Sequence, residues 1–250
     1  MKLINSFKRL LCYLYYNSLY FYNSRYIKKV FVENFQEVDV LCRGESLLNY
    51  DLKDLTKTDL IILANFEKND LSKSGILKKI DKIPCIIMSN NAEPIPYIHD
   101  LKNIILNDVY LNKIVGDNKY GEEINPQRTN FRLDSICKNV KFLNFSHYDA
   151  FNSINTKFQG SWNTGLFALF LACIKNPKKV NIYGMDFYNS EYYYTNLLDE
   201  MSENEKQKLK NSSNNFKKTF FGIVDYYKKI NFYINTKANL STKTDNLKIN

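Results

Sequence analysis

The sequence predicts an α/β domain, a Rossmann-like and mostly parallel sheet with helices on both faces and a small lid. Three observations carry that expectation. Short, unbroken apolar runs of strand length alternate with longer segments of helical length, and such runs belong to parallel strands buried on both sides. The runs end in small or hydrogen-bonding residues, as strands that open onto a ligand crevice do. Finally, 250 residues with 44% apolar and 24% charged side chains suffice for one sizeable core, and exclude disorder over most of the length.

The elements follow in order. Residues 38–42 (VDVLC) read as a strand that stops at the turn Arg43-Gly44-Glu45-Ser46. Residues 59–64 (DLIILA) form a second strand, ending at Asn65, and residues 84–88 (PCIIM) a third, ending at Ser89-Asn90-Asn91. Residues 103–106 and 140–145 add two further strands. Residues 163–175 (NTGLFALFLACIK) are helical by length and by Leu and Ala content. The next strand, residues 179–184, stops at Met185-Asp186, and a tyrosine cluster, Tyr192 to Tyr194, follows it. Residues 203–215 are polar with no apolar face, residues 220–229 form an amphipathic helix, and residues 230–235 a last strand. The domain is therefore expected over residues 37–250, with the lid at about 189–219.

Residues 1–36 stand apart. Lys2, Lys8, Arg9, Arg25, Lys28 and Lys29 all precede the first acid, Glu33, so much of the +9 net charge is concentrated there. Between them residues 10–22 read LLCYLYYNSLYFY. That run is too short to span a bilayer, which takes about 20 apolar residues, and it lacks a signal-peptide cleavage site. Two readings fit it equally: a helix lying in the headgroup region of an anionic membrane, or one packed on the protein's own surface or a sister subunit. The basic residues are not woven through any nucleic-acid-binding motif, so no nucleic-acid partner is expected. Five widely spaced cysteines show neither metal-binding spacing nor a disulfide framework, which suits reduced, structural residues in a cytoplasmic protein.

Two segments carry most of the chemistry. A glycine at the strand-ending turn Arg43–Ser46 lets backbone approach a phosphate or ribose, although many such glycines merely turn the chain. The segment 160–165 (GSWNTG) runs into the apolar helix, so Thr164 and Gly165 would open a helix whose N–H groups attract an anion. Simple N-capping by Asn163 or Thr164 explains the same pattern. The pairing of this helix start with the strand end YGMDFY, residues 183–188, is the most specific feature of the chain.

The pieces LCRGESL (41–47), LANFE (63–67), MSNN (88–91), NTG (163–165) and YGMDFY (183–188) occur in the order and at spacings similar to those of the family-42 bacterial sialyltransferases. The pair NTGLFALFLA and VNIYGMDFY also resembles the small sialylmotif of the eukaryotic family-29 enzymes. The resemblance spans residues 38–194, more weakly to 235. It implies a variant GT-A fold, an inverting mechanism without a metal or other cofactor, and CMP-sialic acid as donor. It places Gly44, Ser46, Asn65, Asn90, Thr164, Gly165 and Asp186 in the CMP pocket, and Tyr188 and Tyr194 against the departing phosphate. Packing in the core or lid is the competing role for both tyrosines. The family's tetramers imply a homo-oligomer.

The absence of any Asp-x-Asp in the sequence fits a metal-free site, because a CMP leaving group develops less charge than a nucleoside diphosphate and phenol and helix N–H donors can meet it. The chain also departs from the family. Arg43 replaces an asparagine, and either grips the phosphate or points elsewhere; Glu45 replaces a proline and Ser161 an arginine. The family's general-base histidine has no counterpart in residues 210–221, where Ser212 falls nearest. Only His99 and His147 exist, and His147 is the better substitute, with Asp149 as the carboxylate alternative. The expected partners are a CMP-sugar and a glycan or glycolipid acceptor, met by a cytoplasmic enzyme held peripherally at the inner face of the membrane.

Overall fold

The computed structural model describes residues 35–50, 57–64, 83–90, 106–112, 140–143, 148–189, 201–241 and 244–250. The first strand, β1 (Glu37–Leu41), leads into a 3-10 turn (Glu45–Asn49). After it come β2 (Leu60–Ala64), β3 (Cys85–Asn90), β4 (Leu106–Asn112) and β5 (Val140–Leu143). Two helices, α1 (Asp149–Phe158) and α2 (Thr164–Ile174), precede β6 (Lys179–Tyr183); α3 (Glu203–Tyr226), β7 (Asn231–Ile234) and β8 (Leu247–Ile249) complete the order.

The strands form one sheet in the order β5-β4-β3-β2-β1-β6-β7-β8, and each neighbouring pair is parallel. The chain thus builds outward from β1 to β5, then returns to the other side of β1 with β6. That reversal leaves a crevice beyond the carboxyl ends of β1 and β6, where open α/β sheets bind ligands.

One face of the sheet presents Val38, Val40, Leu60, Ile62, Val180, Ile182 and Phe232 to a single core shared with α1, α2 and α3. Helix α2 lies across β1, β2, β3 and β6 and is buried from Leu166 through Cys173, which is why its sequence is apolar all round rather than striped. Leu41, Ile61, Leu63 and Cys85 alternate onto the other face and are equally inaccessible, as a parallel sheet covered on both sides requires. Cys42, Cys85 and Cys173 are free and buried, and burial pushes all three thiols up, far from reactivity.

Where bounds differ from the sequence expectation, pairing or solvent explains it. Strand β4 runs over Leu106–Asn112, past the expected end at 106, because its register with Ile86–Asn90 extends the ladder toward the carboxyl end; residues 103–105 lie outside the described residues. Helix α3 is continuous from Glu203, through the polar stretch. Its first turns are held by a capping box, with Ser202 accepting from the Glu205 N–H and Glu205 accepting in return, while their flanks face water. Helix α1 buries only Phe151 and Ile154, too few apolar positions to declare a period. Three-residue β8 is shorter than any readable run. Residues 1–34 and 190–200 lie outside the described residues, so the N-terminal segment and much of the lid do too. Gln36 already belongs to the domain, its carbonyl accepting from the Lys178 and Lys179 N–H groups.

The second face carries a polar knot. Buried Asp39 accepts from Asn181 Nδ2 at 2.7 Å, Tyr50 Oη at 2.8 Å and Thr58 Oγ1 at 2.9 Å. Tyr50 closes the 3-10 turn and lies edge-on to Tyr183, ring centroids 4.8 Å apart, so the knot anchors the β1 turn from behind. Burial raises the Asp39 pKa above its ordinary 3.8, against the lowering effect of its hydrogen-bond donors. For an acid this sign means that the folded state holds the proton more tightly than the unfolded one. The stability linked to Asp39 is present below the ordinary carboxylate range and is lost as pH rises through the raised value. Urea unfolding of the parent and of Asp39→Asn between about pH 4 and about pH 8 is expected to show that falling slope in the parent's difference from the variant; parallel curves would refute it.

Candidate active site

At the carboxyl ends of β1, β6 and β7 the backbone folds around one buried carboxylate. Asp186 Oδ2 accepts from the Ser46 N–H at 2.8 Å; Oδ1 accepts from Ser46 Oγ at 2.5 Å and from the Lys237 N–H at 2.9 Å. Thr236 Oγ1 donates to the Met185 carbonyl at 2.9 Å and lies 3.2 Å from Asp186 Oδ1. Ser46 Oγ in turn accepts from the Gly184 N–H at 3.0 Å. The node therefore ties the turn after β1 to the strand end of β6 and to the loop after β7.

The glycines on this node are dictated by contact. A Cβ on Gly44 would stand 2.5 Å from Asp186 Oδ2 and 2.7 Å from the Gly184 carbonyl oxygen, whose bond with the Gly44 N–H is 2.8 Å. Gly184 itself has φ +70° and faces the Cys42 carbonyl at 2.2 Å from a would-be Cβ. No side chain fits there, so β1 and β6 remain in contact for two residues beyond the ladder.

Beyond the node the chain turns sharply. The Asn189 N–H donates to the Asp186 carbonyl at 2.9 Å, closing a four-residue turn whose central residues, Phe187 and Tyr188, have φ 52° and 60°. Turns of this kind normally employ Asn and Gly, and each left-handed aromatic residue costs roughly 1–2 kcal/mol. The strain is held by packing on α3: Phe187 lies edge-on to Phe220 at 5.5 Å, and Tyr188 against Phe216 at 5.6 Å. The result is a half-buried Tyr188 fixed at the lip of the crevice. Strain retained in this way is characteristic of functional turns.

Helix α2 starts at the same edge. Gly165 approaches the end of β1 so closely that a Cβ would lie 3.0 Å from Cys42 Sγ. Asn163 is the cap, its side chain accepting from the Leu166 N–H at 3.0 Å. The first turn holds no acid, so the positive end of the helix is left for an external anion. The preceding segment leans on α3, with the Ser161 N–H donating to the Asn215 carbonyl and Thr219 Oγ1 to the Ser161 carbonyl.

Of the residues expected from sequence, the structure brings Arg43, Gly44, Ser46, Thr164, Gly165, Asp186 and Tyr188 to this one edge. Ser46 and Asp186 bond each other there and shape the backbone around the crevice. Asn65, His147 and Tyr194 lie outside the described residues, and of Asn90 only the strand backbone is described. Asp149 opens α1 beside Tyr148, whose ring is 6.1 Å from Phe170. That level is about a turn and a half along α2 from Gly165 and toward the amino ends of the strands. Sequence reasoning missed Thr236 and Lys237, whose contacts with Asp186 arise only because β7 lies beside β6. It also missed Phe216, the support of Tyr188.

No family model matches the chain, and no characterised protein matches it by sequence. Solved structures do match. The sialyltransferase CstII, a Campylobacter jejuni protein, in complex with a trisaccharide acceptor and CMP superposes with a TM-score of 0.51 at 17% identity, over 80% of this chain and 81% of that one. Two single-residue variants of CstII in complex with CMP match with TM-scores of 0.51 and 0.50 at 15% and 14% identity. They cover 85% and 82% of this chain, and 86% and 83% of theirs. The chain shares the α/β fold of these sialyltransferases, with its parallel sheet and flanking helices.

Proposed function

We propose that this protein is an inverting, metal-independent glycosyltransferase. It would move sialic acid, or a related acidic sugar, from a CMP-sugar donor to a glycan or lipid-linked saccharide. The observation that carries the proposal is the strained turn just past β6 that holds Tyr188 against Phe216, at the edge of the sheet where α2 also begins. CstII, which has this fold, binds CMP and a trisaccharide acceptor.

In the reaction an acceptor hydroxyl oxygen bonds to the anomeric carbon while the bond from that carbon to the CMP phosphate oxygen breaks on the opposite side. The departing electron pair stays on the phosphate, and the hydroxyl proton passes to a base. Tyr188 and Tyr194 donate to the phosphate oxygens, and the α2 N-terminus meets the charge that develops there. One phosphate is a small enough charge for these donors without a divalent ion. His147 is the proposed base; the start of α1 at Asp149 lies away from the edge where the node forms and argues against the carboxylate alternative. Peripheral attachment at the cytoplasmic face through residues 1–36, assembly into a homo-oligomer and a role in lipopolysaccharide synthesis belong to the same proposal. Among the described residues no helix is long and apolar enough to cross a membrane.

A second reading has its own observation. From Lys206 to Thr219, α3 contains no histidine and no acid, although this helix supports Tyr188. A relative that binds the nucleotide without transferring the sugar fits that composition. Both readings predict that CMP at a hundred times its Kd raises unfolding free energy by about 2.7 kcal/mol, visible in a thermal shift that UMP and AMP do not match. An unchanged melting temperature with CMP would exclude both. CMP release from CMP-sialic acid in the presence of acceptor then separates transfer from mere binding.

A further inference from the structure

Lys237 and Glu45 face each other across the node, and nothing in the proposed chemistry yet uses them. Lys237 Nζ lies 3.9 Å from Glu45 Oε1, with side chains 49% and 44% exposed. The Lys237 N–H is bonded to Asp186 Oδ1 and that of Ser46, the residue after Glu45, to Oδ2. The two backbones are therefore pinned on either side of one buried carboxylate while the side chains extend from it. At 3.9 Å the pair is an ion contact without a hydrogen bond, and exposed contacts of that kind contribute little stability. It can open at small cost.

We infer that Lys237 is an anion-binding residue of the donor site, and that Glu45 occupies its ammonium group until a phosphate or carboxylate of the ligand displaces it. The inference rests on the CMP-sugar reading and adds a residue to it. Its position favours the role: the pair spans the loops after β1 and β7, at the edge where α2 presents an N-terminus without an acid in its first turn. An anion arriving there meets two sources of positive charge, with Glu45 as the displaceable competitor. A lysine also makes charge-assisted bonds to either anion with a single mobile group.

Calorimetric titration of the full chain with cytidine, CMP and CMP-sialic acid, without acceptor, tests the inference. Lys237→Gln keeps the backbone N–H that Asp186 requires. It should weaken CMP about tenfold, the size of one charge-assisted contact, and leave cytidine within about twofold. Glu45→Gln should act oppositely, strengthening CMP about threefold, with the gain shrinking as salt is raised. An effect on CMP against cytidine assigns the lysine to the phosphate. An effect confined to CMP-sialic acid assigns it to the sugar carboxylate; both support the inference. If the parent binds CMP while the variants match it within about twofold for all three ligands, the inference is overturned and the CMP reading stands. A parent that binds none of the three removes the reading itself. Should Lys237→Gln fold poorly, the opposite shift in Glu45→Gln decides alone.

Discussion

An Asp186→Ala protein is expected to be about 3–5 kcal/mol less stable than the parent, read as a lower urea midpoint. The magnitude follows from what the carboxylate holds. Ser46 N, Ser46 Oγ and Lys237 N all donate to it, with Thr236 Oγ1 beside them. Removing the acceptor leaves the buried Ser46 N–H and the partly buried Lys237 N–H without it, at up to about 1–3 kcal/mol each. Asp186→Asn keeps the volume but must turn an amide N–H toward either Ser46 N or the Oδ1 donors, so an intermediate loss of about 2 kcal/mol is expected. The same variants should lose CMP binding, since the node joins the ends of β1, β6 and β7 beyond their ladders. A loss below about 1 kcal/mol in Asp186→Ala would mean that the node merely decorates a crevice formed by other contacts.

How much of this was legible beforehand depended on whether the signal was local. The runs at β1, β2, β3 and β6 are apolar because each strand is buried on both faces, and the sequence displays that directly. Helix α2 is legible for the same reason, and its Asn163 cap is a local device. The node is different. Ser46 and Asp186 lie 140 residues apart in sequence and each reads as a plausible ligand contact, yet in the fold their polar atoms bond one another. Thr236 and Lys237 sit in an ordinary NTKA loop, made important only by the adjacency of β7 and β6, which no local pattern encodes. Propensity also argues against left-handed Phe187 and Tyr188; tertiary packing on Phe216 and Phe220 overrides it. The polar half of α3 carried no period because its flanks are solvated, and the Ser202–Glu205 capping box was the local signal that went unread.

Tyr188→Phe is expected to lower the rate of sugar transfer by about 10²–10³-fold, in kcat rather than in KM for the donor, and to leave the fold intact. The substitution removes one oxygen and nothing else. The ring still packs on Phe216, and the backbone still adopts φ 60°, so the melting temperature should stay within about 2 °C of the parent's. A donor that touches the phosphate chiefly as charge develops there binds substrate little and transition state strongly, which places its loss in kcat. Tyr188→Gly separates geometry from chemistry. It relieves the left-handed strain, roughly 1–2 kcal/mol, while surrendering the Phe216 contact, so its stability should lie near the parent's and its transfer rate near that of Tyr188→Phe. If the phenylalanine variant transfers sugar at the parent's rate, the hydroxyl is not a donor to the leaving group. The strained turn would then serve only to seat an aromatic ring against α3, and stabilisation of the phosphate would fall to Tyr194 and the α2 N-terminus.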